Sequence, residues 1–206
     1  MREIRPYRTL QGARRALDNG GRFYNLFTRA GDDVVDPAEL ARAAGVHSAG
    51  MDAFLYFEMA LMNLPARERA EIVAQLSPEM KARYEAKRPM PLAPSAVEEE
   101  GRAGVSTIVS GYPVFVEDKS EFKGFIFLLV PVIMLIPIID VFDVYEVYDS
   151  PQMRERRTVI ATTRGSKRLD GVQTRFGGVL KELQFEDKTD KEHGLFLEAS
   201  YYTPLG

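Results

Sequence analysis

The sequence predicts an α+β protein: a small N-terminal helical bundle, then an antiparallel β-barrel or sandwich, possible architectures that include the five-stranded oligonucleotide-binding (OB-like) barrel. Three observations predict it. Residues 8–87 carry apolar residues at helical spacing with helix start and stop signals. Pro89, Pro91 and Pro94 fall within ten residues and interrupt that pattern. After Gly104 the chain is rich in valine, isoleucine, threonine and aromatics, in short runs separated by glycine and charged residues. The expected division is a helical domain over 1–88, a proline and acidic linker over 89–104 and a β-rich domain over 105–206.

In the helical part, Thr9–Asn19 is closed by Gly20 and Gly21, a C-terminal stop. Asp36-Pro37-Ala38-Glu39 combines an N-cap carboxylate, proline at the first helical position and glutamate at the capping-box position. Gly45 ends that helix. Ser48 is placed to cap the next, whose run from Ala53 to Met62 is apolar nearly all round and belongs at the centre of a bundle. Ser77-Pro78-Glu79 opens a further helix with Met80 and Tyr84 on one face.

The proline segment favours an extended, semi-rigid connection and is followed by Glu98-Glu99-Glu100. Strands are then expected at Val105–Val116 and Phe122–Val130, with a turn at residues 117–120 between them. Asp140–Asp149 repeats DVF, DVY and EVY, and its β-branched and aromatic content favours strand. Arg157–Thr163, Val172–Leu183 and Gly194–Tyr202 complete the set. Five to seven strands in about 100 residues suit a closed or half-closed barrel, or a sandwich.

Composition narrows the chemistry. No cysteine is present among the 206 residues, which removes disulfides, thiolate metal sites and a cysteine nucleophile. His47 and His193 are the only histidines, so a multi-histidine metal centre is not expected; both are read as solvated loop residues. Gly165-Ser166-Lys167 lacks the upstream glycine of a phosphate loop, and the glycine–serine spacing at Gly45–Gly50 misses that of a nucleophile elbow. No catalytic set and no cofactor are identified. Met1–Leu10 holds three arginines and no apolar run, so a secretory signal is not expected there and the cytoplasm is the expected compartment. Gly124–Ile139 contains no polar side chain. It is shorter than the roughly 20 residues of a spanning helix. A buried strand pair is expected there, with a membrane-inserted segment as the alternative.

Residues 27–40 resemble an EF-hand loop in register. Val35 holds the hydrophobic position, Asp32 and Asp36 the fifth and ninth, and Glu39 the place of the bidentate glutamate. Thr28, Ala30 and Asp33 stand where two ligands and the turn glycine belong. No bound metal is therefore expected, and Asp36 and Glu39 are read as helix caps.

The strongest charge asymmetry spans Arg154–Lys181, eight basic residues against two acids, in a chain of net charge −3. Arg157, Arg164, Lys167, Arg168, Arg175 and Lys181 form the candidate set for a partner or phosphate, because basic loops grip phosphates without reading sequence. Tyr145 and Phe176 are candidate stacking faces. The competing expectation is that these cations pair with the protein's own acidic strand, Asp140–Asp149. Glu58, alone in the run Phe54–Met62, is expected on an exposed stripe; the alternative is a buried acid. The expected function is that of a non-enzymatic binding or assembly protein, with a protein partner or a second copy. Nucleic acid at the basic face and a membrane at Gly124–Ile139 are the alternatives.

Overall fold

A computed structural model describes residues 1–21, 30–47, 49–117, 124–130, 132–152, 157–169, 171–185 and 193–205. Among them are seven α-helices and nine strands in one mixed sheet, an α+β protein. The chain divides into two compact units, Ile4–Pro89, and Met1–Glu3 together with Met90–Gly206.

The first unit holds α1 (Leu10–Leu17), α2 (Pro37–Ala44), α3 (Met51–Leu61), α4 (Ala66–Ala74) and α5 (Pro78–Lys87). Local sequence explains most of these boundaries. Thr9 caps α1 by accepting from Gly12 N at 3.1 Å. Asp36 and Glu39 form the complete capping box of α2, and Gly45 ends it in the left-handed conformation at φ 70°. Ser77 caps α5. At α3 the N-cap is Gly50, with no side-chain bond; Ser48, expected there, lies outside the described residues. α3 supplies Ala53, Phe54, Phe57 and Leu61 to a buried cluster shared with Leu17, Leu40, Ile72 and Met80 from the other four helices. The starts of α2 and α5 are tied together, since Val35 N donates to Gln75 O (2.8 Å) and Ser77 N to Val35 O (3.0 Å).

The second unit is the sheet. Its strands are β1 (Arg2–Glu3), β2 (Met90–Leu92), β3 (Ser106–Phe115), β4 (Gly124–Val130), β5 (Val132–Pro137), β6 (Phe142–Tyr148), β7 (Arg157–Thr163), β8 (Thr174–Phe185) and β9 (His193–Pro204). Hydrogen-bonded order runs β1-β9-β7-β6-β3-β8-β4-β5, with β2 on β3 and a further pairing of β8 with β9. That last pairing returns the path to its start, so β3, β6, β7, β9 and β8 form a ring. The sheet is mixed where an antiparallel one was expected: β7 and β9 run parallel, as do β1 with β9 and β2 with β3. The reason is the order of closure. β8 pairs antiparallel to both β3 and β9, which leaves β9 beside β7 in the same direction.

Residues 89–104, read from sequence as a connector, mostly belong to this unit. Met90–Leu92 pair with Thr107–Val109, occupying the side of β3 that β6 takes over from Tyr112 onward. Pro91 is tolerated because β2 is an edge strand. α6 (Val97–Glu100) follows, and its Val97 is buried among sheet residues.

Both faces of the central strands are buried, by different partners. Val109, Tyr145, Val147, Ile160, Phe176 and Leu197 share one cluster, contributed by all five ring strands. The opposite face carries Val144, Val159, Ala161, Leu183 and Phe196, packed with Ile126 of β4 and with Ile138 and Ile139 of α7 (Ile138–Val141). The apolar stretch Gly124–Ile139 is therefore a strand pair followed by a helical turn, and in part it covers the sheet. No helix among the described residues is long and apolar enough to cross a membrane.

Candidate functional site

Of the six basic candidates, five already bond within the chain, three of them to carboxylates. Arg157 meets Glu146 on the neighbouring strand at 2.9 Å, Arg168 meets Glu117 at 2.8 Å, and Lys181 is paired with Glu198. Arg168 also lies over the Phe115 ring, 4.5 Å from its centroid. Arg164 donates to the Ile139 carbonyl at 2.9 Å. The loop after β7 is held from below by Asp143, whose Oδ2 accepts from Gly165 N (2.8 Å) and Ser166 N (3.2 Å). Lys167 is exposed and forms no ion pair among the described residues. Arg175 is half-buried, donates from Nε to Ser110 Oγ at 3.2 Å and has no carboxylate partner among the described residues. Burial holds its guanidinium below the usual arginine range.

Tyr145 and Phe176 do not serve as stacking faces. Both are fully buried, because β6 and β8 each turn these residues toward the ring's inner cluster. The EF-hand-like loop likewise directs Asp32, Asp36 and Glu39 at backbone. Asp32 accepts from Val34 N and Asp36 from Ala38 N and Glu39 N. Glu39, buried, accepts from Gly20 N and from Asp36 N (3.0 Å). Asp18 closes the loop through Gly31 N (2.6 Å) and Asp33 N (2.9 Å). Asp33 stands at the glycine position with φ 62°, so the backbone adopts the left-handed turn there even without glycine. Burial raises the Glu39 carboxyl above its ordinary range, partly opposed by its two backbone donors. His47 is exposed, and His193 opens β9; the turn before it lies outside the described residues.

Glu58 departs from expectation. It is buried, not on an exposed stripe. Tyr84 donates its hydroxyl to Glu58 Oε1, and Arg88 Nε reaches the same oxygen at 2.7 Å. Tyr84 is packed edge-on to Phe57 with ring centroids 5.5 Å apart. Burial and the Glu58 carboxylate together push the Tyr84 hydroxyl well above the ordinary phenol range. The available sequence signal was a lone acid inside the apolar run Phe54–Met62.

Two concavities accompany these groups. One, of about 320 Å³, lies in the helical unit beside Glu58, Tyr84 and Arg88. The other, of about 440 Å³, opens on the outer face of the sheet and was not foreseen from sequence. Ile126, Val141, Phe142, Val179 and Phe196 line it, with the Lys181–Glu198 pair at its side. It lies where β8 passes from its pairing with β3 (Ser106↔Val179) to its pairing with β4 (Phe125↔Gln184). No family model, curated protein or solved structure matches this chain.

Proposed function

We propose that this chain is a non-enzymatic assembly protein that associates with further copies of itself through the outer face of its sheet. The observation that carries the proposal is the 440 Å³ apolar cleft on that face. Apart from the Lys181–Glu198 pair and Glu182 its lining is apolar, so the cleft offers few of the convergent polar groups that orient small ligands. Val141 at its edge is 37% exposed. Among the described residues β5, an uncharged strand, is paired on one side only. An apolar edge of that kind is a template for another strand. A lipid surface suits it less, because an open edge in hydrocarbon leaves backbone groups unbonded at several kcal/mol each.

Sedimentation velocity over a wide concentration range tests this. The wild-type chain is expected to show concentration-dependent assembly that is insensitive to salt, and Val141→Asp, a change at an exposed position, to shift it to monomer. A wild-type chain that stays monomeric at high micromolar concentration, or a Val141→Asp variant that assembles equally well, refutes the proposal. Assembly that disappears only in detergent points instead to the membrane alternative.

A second reading draws support from strand order. A five-stranded ring in which the third and fifth ring strands run parallel is the arrangement of an oligonucleotide-binding barrel, and such barrels bind single strands. Lys167 and Arg175 lack carboxylate partners among the described residues. On this reading, retention of a labelled single strand falls steeply between low and moderate salt. It also falls when Arg164, Lys167 and Arg168 are replaced together by alanine. Unchanged retention removes the reading.

A further inference from the structure

We propose that the concavity walled by α3, α4 and α5 in the helical unit is a binding site for a small oxyanion, a carboxylate or a phosphate group, held by Arg69 and Arg88. The sequence builds this hollow by spacing. Ala66, Arg69, Ala70 and Val73 follow one another at i, i+3, i+4 and i+7, so they share one face of α4. Two of the four are alanines, which leave the room that Arg69 enters. Glu58 and Leu61 form the α3 wall, and Tyr84 and Arg88 come from α5 and its C-cap.

Charge and hydrogen bonding point to the ligand. Two guanidiniums face the hollow against one carboxylate, a local excess of one positive charge. Glu58 is already engaged by Arg88 and Tyr84. Arg69 has no acid partner among the described residues, and its Nε is buried there without a hydrogen-bond acceptor. A buried charged donor left unbonded is unfavourable, and a planar guanidinium edge matches the two oxygens of a carboxylate or phosphate. About 320 Å³ admits such a group together with a small organic body. The apolar part of the hollow, Leu61, Ala70 and Val73, would meet that body.

The test uses the full chain and the Arg69 Nε–H resonance, followed by two-dimensional NMR at constant ionic strength. Inorganic phosphate and acetate are titrated separately, with chloride as the control. A saturable shift of the Arg69 signal is expected with at least one oxyanion and not with chloride. The arm that saturates at lower concentration identifies the phosphate or carboxylate preference. Arg69→Met, which retains most of the stem, is expected to weaken binding at least about tenfold, equivalent to about 1.4 kcal/mol, as read from the signals of Ala70 and Val73. Arg69→Lys keeps the charge without the fork and is expected to fall between. A linear, non-saturating response in all three titrations overturns the proposal, whatever the variants do. So does saturation that Arg69→Met leaves unchanged.

Discussion

Replacing Gly178 with alanine should open the ring of the sheet unit. The residue sits on β8 opposite Ala199, next to the register shift that separates the pair Gly177↔Tyr201 from Gly178↔Ala199. A Cβ built there would lie 2.1 Å from the Glu198 carbonyl oxygen and 2.8 Å from Ala199 Cα, against 3.4 Å or more in ordinary contact. Those atoms are backbone, so relief requires β9 to move by about 1 Å. Overpacking of this kind costs about 1–3 kcal/mol. Each ladder hydrogen bond weakened by the movement adds about 0.5–1.5 kcal/mol. The sum, about 2–5 kcal/mol, corresponds to a fall on the order of 10 °C in the melting of a unit this size. Circular dichroism melts and urea titrations of wild type and Gly178→Ala measure it. Gly50→Ser is the control, since nothing lies within 4 Å of a Cβ at Gly50; it is expected within about 0.5 kcal/mol of wild type. If Gly178→Ala unfolds at the wild-type urea concentration and temperature, β8 and β9 are not in the close register that completes the ring.

Two further outcomes concern the helical unit. Asp36→Ala removes the acceptor of Ala38 N and Glu39 N and should destabilise the unit by about 1 kcal/mol, read from the urea midpoint. Glu39 supplies a pH test. Its folded-state carboxyl is raised above the ordinary 4.5, so the folded state binds its proton more tightly than the unfolded state does. The associated stability is fully present below about 4.5 and is lost as pH rises through the folded value. Wild type should therefore gain stability relative to Glu39→Gln as pH falls from 7 toward 4.5; a pH-independent difference between the two would refute this.

Legibility followed the range of the interaction. The starts of α1, α2 and α5 are set within four residues of chain, by Thr9, by Asp36 with Glu39, and by Ser77, and all three could be read directly. Strand positions were legible for the same reason, since β6 and β7 fall within one or two residues of their composition-based limits. The strand order around the ring was not legible. It depends on β7 meeting β9 in parallel across more than thirty residues of chain, and alternation along a strand is blind to its neighbour's direction. Glu58 was missed because its partners, Tyr84 and Arg88, are 26 and 30 residues away. The proline segment misled through a sound local rule. Pro91 cannot extend a helix, but an edge strand accepts it, and only the pairing with β3 reveals that edge.

The two sequence features that pointed outward, surplus apolar residues and surplus cations, are both largely met from within. Ile126, Ile138 and Ile139 cover the sheet's outer face, and Glu146, Glu117 and Glu198 take three of the six candidate cations. An exposed ion pair contributes about 0–1 kcal/mol, too little to explain these pairs as stabilising devices. Their larger effect is to cancel the field that would draw a polyanion. On the proposed readings, attraction for a partner comes from what internal pairing leaves over. In the sheet that remainder is apolar, the cleft beside Val141; in the helical unit it is one guanidinium, Arg69, whose Nε has no acceptor among the described residues. The two remainders respond to opposite conditions. Salt weakens contacts of Arg69 with an anion and leaves burial of Val141 intact. A titration of ionic strength on one sample therefore separates the two sites without any substitution.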